Sequence, residues 1–277
     1  VCELAEGHKA DGATFDRFGI LNVVKSADDR GELYFDDLEI NGAIETFDVD
    51  PEWEGIRNRE VYETTLVRPR FDFGFSPTRF AGGLSPGELG GRVFRGDCRY
   101  PERMAAYGDV VGPLTFDGPI RASGKIALAR GVSDSTTLFG FYSSKDSLRR
   151  NDSQKESIPE SVLGIHIEGP SSEGFCFYPV LRPLDGEGRT ADVRESPRIL
   201  PDGASHDFSL EYDPAGAGGK GRITVSLDGR RSTLDLEPDA RKSGTRFDRF
   251  GIVTSWIDGN SQDVYLDDIT YTVGQAD

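Results

Sequence analysis

Apolar and polar positions alternate with a period of two through most of the chain beyond residue 120. Thr136–Tyr142 (TTLFGFY), Val162–Glu168 (VLGIHIE) and Gly174–Leu181 (GFCFYPVL) are the clearest runs. Ser123–Ala129, His206–Tyr212, Arg222–Leu227, Arg231–Leu236, Phe247–Ser255 and Gln262–Thr272 repeat the pattern. Each run has the length of a strand, and no helical segment stands between them. Asp-Gly pairs at 117, 202, 228 and 258, with Asp-Pro-Ala-Gly at 213, mark the turns. Many short strands joined in this way predict an all-β, antiparallel two-sheet jelly-roll sandwich, larger than an immunoglobulin domain.

Between Arg70 and Gly96 the chain is rich in glycine and aromatics, with strand-like pieces and tight turns. Upstream of that the pattern weakens. Residues 1–12 are small and polar. Residues 14–25 and 31–41 read as two strands around the polar turn Ser26–Arg30, with a change of phase at Asp36-Asp37 that suits a bulge. Residues 42–69 are charged and weakly periodic. Asp48, Asp50, Glu52 and Glu54 alternate there without the glycine and glutamate that an EF-hand loop requires. The expected organisation is a β-hairpin over 1–45, a charged linker over 46–69, and a jelly-roll domain over 70–277.

One repeat cuts across this division. Phe15–Ile20 and Phe247–Ile252 are both FDRFGI, and each is followed by an apolar run and an Asp-Asp pair, Asp36-Asp37 and Asp267-Asp268. Phe247 to Val273 reads as the terminal hairpin of the sandwich. The earlier copy then resembles the tail of a preceding repeat, and the alternative is that both hairpins lie side by side in one sandwich.

Composition narrows the choices. The 34 Gly and 15 Pro among 277 residues, with one Met, favour strands and turns, and 36% apolar residues are enough for a core. A net charge of −16 repels phosphate and argues against nucleic acid. It suits solubility, or carboxylates that hold calcium. Cys2, Cys98 and Cys176 are odd in number and form no CxxC spacing, which leaves a single bridge or free thiols. No apolar run is long enough to span a membrane. Val1 is not a Met, so a processed or partial chain is expected. Hydrolase elbows, zinc-protease helices and phosphate loops are absent from the sequence.

The ending DVYLDDITYTV resembles the last strand of the concanavalin A-like lectins and glucanases, and HDFSLEYDPAGAGGKGRITVSLDGR (206–230) resembles the strand–turn–strand module of that superfamily. The resemblance covers roughly residues 70–277 and concerns fold. It implies a curved jelly roll with a sugar-sized groove on its concave face. It also implies a structural calcium held by Asp267, whose counterpart in the N-terminal copy is Asp36; the alternative is that Asp267-Asp268 caps a turn or pairs with Arg249. The laminarinase signature of Glu, apolar, Asp and Glu is missing, its nearest approximation being Glu45–Asp50.

Alternation also sorts the candidate site residues. If Ile165 and Ile167 face the core, His166 and Glu168 share the other face. By the same rule Tyr178 and Cys176 face outward opposite Phe175 and Phe177, and Tyr142 opposite Phe139 and Phe141. If these strands are neighbours, Tyr142, His166, Glu168 and Tyr178, joined by Arg92 from the GGRVFR strand, line one groove. Rings for stacking on a pyranose, with His, Glu and Arg for its hydroxyls, suit a glycan. Lytic relatives of this fold carry Gln-apolar-His on a middle strand, and Gly164-Ile165-His166 stands in a similar place with Gly for Gln. That implies a lyase version in which His166 is the base, Tyr178 the acid and Arg92 the third member. The expected function is carbohydrate binding by a lectin-like domain of a larger, exported protein, extracellular or periplasmic. The alternatives are a polysaccharide-active enzyme, lyase before hydrolase, and a structural repeat without ligand.

Overall fold

Three of the expected strands fall on the residues anticipated and the others within a few positions of them. The computed structural model describes residues 33–53, 71–94, 104–132, 134–149, 157–169, 173–255 and 260–274, with scattered positions between 3 and 20. The chain divides into two units, Val1–Pro51 and Glu52–Asp277.

In the first unit, β1 (Leu38–Ile40) pairs with β2 (Ala43–Glu45) across Asn41-Gly42. Both turn residues have positive φ, 52° and 82°, as a tight two-residue turn requires. This is not the hairpin expected over 14–25 and 31–41. The described residues from Ala13's neighbours Thr14 and Phe15 to Ile20 carry no strand, and 21–32 lie outside the described residues.

Among the described residues the second unit holds two seven-stranded sheets. Its strands are β3 (Asp72–Ser76), β4 (Glu88–Phe94), β5 (Ala106–Leu114), β6 (Ile120–Gly131), β7 (Thr136–Tyr142), β8 (Val162–Glu168), β9 (Phe175–Arg182), β10 (Arg189–Thr190), β11 (Arg198–Ile199), β12 (Ser205–Asp213), β13 (Arg222–Leu227), β14 (Arg230–Asp235), β15 (Phe247–Val253) and β16 (Ser261–Tyr271). Sheet I runs β10-β9-β8-β7-β15-β5, with β11 also on β9, and sheet II runs β14-β13-β12-β6-β16-β4-β3. The pairings within both sheets are antiparallel, and the unit is a two-sheet jelly-roll sandwich.

Inward residues of the two sheets meet in one core. Phe139, Phe141, Ile165, Ile167, Phe177 and Phe250 come from sheet I, and Val93, Ile126, Phe208, Tyr212, Val225, Val264 and Leu266 from sheet II. The rings pack edge-on or tilted: Phe139 against Phe208 at 5.2 Å between centroids, Phe116 against Phe247 at 5.4 Å, and Phe141 against Phe250 at 4.9 Å. The Tyr212 hydroxyl donates to the Phe116 carbonyl at 3.0 Å, so even this buried phenol is satisfied.

One expectation fails in an informative way. Phe247–Val273 is not a hairpin: β15 lies between β7 and β5 in sheet I, whereas β16 lies between β6 and β4 in sheet II. The last two strands enter the middle of different sheets. Each is complete only when strands from elsewhere in the chain bond both of its edges.

Candidate functional site

Sheet I has a second face, turned away from the core. Register places four cross-strand rows on it. Glu168 lies opposite Thr136 and Cys176; His166 lies opposite Leu138 and Tyr178. The next row is Gly108, Gly251, Gly140, Gly164 and Val180, and the last is Arg249, Tyr142, Val162 and Arg182. The glycines are a matter of backbone geometry. Gly140 and Gly251 have φ of 146° and 156°, and a Cβ on either would meet neighbouring backbone within 2.5 Å.

His166, Tyr178 and Glu168 are brought together as the alternation expected. The Tyr178 hydroxyl donates to Glu168 Oε2 at 2.7 Å and lies 3.1 Å from His166 Nδ1. With the phenolic O–H directed at Glu168, Nδ1–H donates to the phenolic oxygen. His166 Nε2, 3.2 Å from Ser255 Oγ, then accepts the serine hydroxyl. Ser255 is the member that the sequence reading missed. It follows β15, which lies two strands from β8 with β7 between them, a relation that no local spacing encodes.

Two expectations about this face need correction. The first concerns exposure. His166 is 3% exposed and Tyr178 2%, and Tyr142 is buried as well. Leu138, Tyr142, Ile158, Val162, Val180 and Val253 form a second apolar cluster here, with Ala106 and Leu148 packed on it. The rings are therefore not an open stacking platform. Tyr142 is also separate from the relay: its row stands four residues along β7 from that of His166, about 13 Å away, with the glycine row between.

The second correction is Arg92. It belongs to β4 of sheet II, where it faces its ladder partner Asp263 in a two-pronged ion pair, Nε to Oδ1 at 2.8 Å and Nη2 to Oδ2 at 3.1 Å. The pattern placed Arg92 on a strand but could not say which sheet takes that strand. The cation deepest in this face of sheet I is instead Arg182. It is held by the Gly186 carbonyl at 2.9 Å, the Ile158 carbonyl at 2.8 Å and Glu160 at 3.2 Å, as a fastener of the surrounding loops.

Burial pushes the Tyr142 phenol up to about 12, against the pull of Arg249, and the bond to Asp109 raises Tyr271 to about 12 as well. Both lie above the ordinary 10. The neutral phenols stabilise the fold fully below the unfolded-state value, and that stabilisation is lost as pH rises through the folded one. The melting temperature is expected to fall between pH 10 and 12, in step with phenolate absorbance, and to fall less in Tyr142→Phe.

Asp267 lies elsewhere, on sheet II. Its Oδ2 accepts from the Gly83 N–H at 3.0 Å and its Oδ1 from the Asp268 N–H at 2.8 Å; Asp268 accepts from Leu84 N–H at 3.1 Å. Glu88, buried nearby in the chain, accepts from the N–H groups of Phe80 and Ala81 at 2.8 Å each. These carboxylates fasten the 77–87 loop. Oxygens already facing N–H dipoles are poorly arranged for a cation, and among the described residues no group of three or more His, Cys, Asp or Glu could hold a metal. The donor set around Asp267 does not fit calcium. A chelator is expected to shift the melting temperature by less than ~1 °C, whereas Asp267→Ala should lower it by several degrees, since an orphaned buried N–H costs about 1–3 kcal/mol; both are read by calorimetry.

No protein-family model and no curated protein sequence matches the chain. Solved structures do. Alginate lyase PA1167 from Pseudomonas aeruginosa is 11% identical over 76% of this chain and 90% of its own, with a TM-score of 0.42. The Emp47p carbohydrate recognition domain is 8% identical over 74% and 90%, also at 0.42. An alginate lyase Aly36B mutant solved with an alginate trisaccharide is 11% identical over 68% and 82%, at 0.41.

Proposed function

We propose that this chain binds a polysaccharide on the outer face of sheet I, meeting it first at the Glu168 carboxylate. The observation that carries the reading is the relay itself. A histidine, a phenol, a carboxylate and a serine hydroxyl stand linked on a sheet face that also carries a buried apolar cluster. Apolar side chains of similar volume would pack there without the desolvation cost, so the polar set calls for a reason other than stability. Its wet end is Glu168, whose side chain is one-third exposed. A carboxylate braced by a phenol is a good acceptor for sugar hydroxyls. The net charge of −16 repels polyanions and favours a neutral glycan over a polyuronate. Among the described residues no helix is long and apolar enough to cross a membrane. Work on an extracellular polysaccharide is consistent with an exported protein.

A second reading, eliminative cleavage of a uronate, is favoured by one observation. The Tyr178 hydroxyl is held between an imidazole and a carboxylate, an order that can relay a proton. Arg92, the cation expected beside it, stands on sheet II instead. An array of neutral and acidic polysaccharides, with each hit followed by ultraviolet absorbance for unsaturated product, separates the two. The expected result is saturable binding of a neutral glycan with flat absorbance. A rise in absorbance that disappears in His166→Ala would make the chain a lyase, and no binding to any glycan would overturn both readings.

A further inference from the structure

The two copies of FDRFGI occupy opposite environments. In β15, Phe247 is fully buried, Phe250 is 4% exposed and Ile252 is fully buried; in the first unit Phe15 is 94% exposed, Phe18 70% and Ile20 72%. The contrast continues through the second half of the repeat. Val264 and Leu266 are core residues, whereas their counterparts Leu33 and Phe35 are exposed. Six identical residues have one intrinsic preference, so the difference lies in what covers them. In the sandwich, what covers them is the interior of a jelly roll, with Phe250 stacked on Tyr271 at 4.5 Å and Phe247 against Phe116.

The correspondence is also conformational. Asp268 has φ of 47° and Asp37 has φ of 49°, and each is a non-glycine residue in the left-handed region. Each donates its N–H to the preceding aspartate, Asp268 to Asp267 Oδ1 at 2.8 Å and Asp37 to Asp36 Oδ1 at 3.0 Å. In β16 this bulge shifts the register against β6 between Asp267 and Thr270. Asp36-Asp37 keeps the same backbone turn and the same N–H to carboxylate bond.

We infer that the FDRFGI copy ending at Ile20 and the segment Leu33–Ile40 belong to the closing strands of a second jelly roll of the same kind. Its other strands come from a polypeptide equivalent to residues 71–246 of this chain. The occupant of the exposed face of Phe15, Phe18, Ile20, Leu33 and Phe35 is the interior of that sandwich. Because β15 and β16 enter the middle of separate sheets, their counterparts have no stable state as an isolated hairpin, which accounts for the apolar exposure.

The test is a fusion that places a second copy of residues 71–246 ahead of residue 12 of the full chain, compared with the full chain alone. In the chain alone, amides of 15–20 and 33–36 are expected to exchange at nearly unprotected rates. In the fusion they should slow by at least ~100-fold, toward the rates of 247–252, and the calorimetric unfolding enthalpy should nearly double. A second variant replaces β16 (residues 261–271) by residues 30–40 in the full chain. It should keep a cooperative transition that a scrambled insert abolishes. Unprotected amides in the fusion, together with loss of cooperativity in the exchange variant, would overturn the inference.

Discussion

Gly251→Val is expected to abolish cooperative folding. Gly251 sits in the middle of β15, paired on both sides, with φ of 156°. An ideal Cβ there would stand 2.1 Å from the Tyr107 carbonyl oxygen and 2.5 Å from the Gly108 Cα. Both obstacles are backbone of β5, so no rotamer change relieves them, and β15 cannot retreat because β7 holds its other edge. Forcing a branched side chain into that backbone region costs about 1–3 kcal/mol before the overlap is counted, and the overlap adds a similar amount. The sum, about 2–6 kcal/mol, reaches the lower end of the stability of an ordinary domain, roughly 5–15 kcal/mol. Gly118→Ala is the control. Its Cβ would meet nothing within 4 Å and its φ is not positive, so a neutral or slightly stabilising effect is expected. Thermal denaturation by far-ultraviolet circular dichroism distinguishes them; a cooperative transition retained in Gly251→Val would show that β15 and β5 separate without cost.

The same strand shows where sequence reading succeeds and where it stops. Thr136–Tyr142, Val162–Glu168 and Arg222–Leu227 were legible to the residue because side-chain alternation is a local property, written in the strand that carries it. Alternation on β8 and β9 was also enough to put His166, Glu168 and Tyr178 on one face. It needed only that the two strands be neighbours, which a short antiparallel connection makes common. Partner choice between distant strands is not local. Nothing in FDRFGIV says that β15 enters sheet I while β16 enters sheet II, or that Arg92 faces Asp263 on the opposite sheet. The strand Ala106–Leu114 escaped notice because Gly108, Gly112 and Pro113 interrupt its pattern; it is an edge strand, where proline and glycine are tolerated. Burial of the outer face was invisible for another reason. A half-polar alternation describes a face with one wet side, and here Ile158 and Leu148, from segments outside the strands, pack on the second face.

Tyr178→Phe should weaken polysaccharide binding by at least ~10-fold, or about 1.4 kcal/mol, with a smaller loss of fold stability. The substitution keeps the ring and its edge-on contact with His166 at 5.5 Å between centroids, and removes only the hydroxyl. That hydroxyl bridges His166 and Glu168, whose Nδ1 and Oε2 stand 3.7 Å apart. Without it the carboxylate loses the donor at 2.7 Å that fixes its direction, and a ligand must then order it at its own expense. Glu168→Gln tests the same point from the wet end. It preserves shape, turns one acceptor oxygen into a donor, and should cost as much in affinity while lowering the melting temperature less than Tyr178→Phe. Ser209→Ala on sheet II, which breaks a 2.6 Å serine–serine bond far along the other sheet, is expected to leave affinity unchanged. Titration calorimetry on the glycan that binds best, beside a thermal melt of each variant, separates affinity from stability. Equal affinity in wild type and in both relay variants would place the ligand elsewhere and leave the relay a structural feature of sheet I. A loss confined to the relay variants would tie recognition to the His166–Tyr178–Glu168 relay.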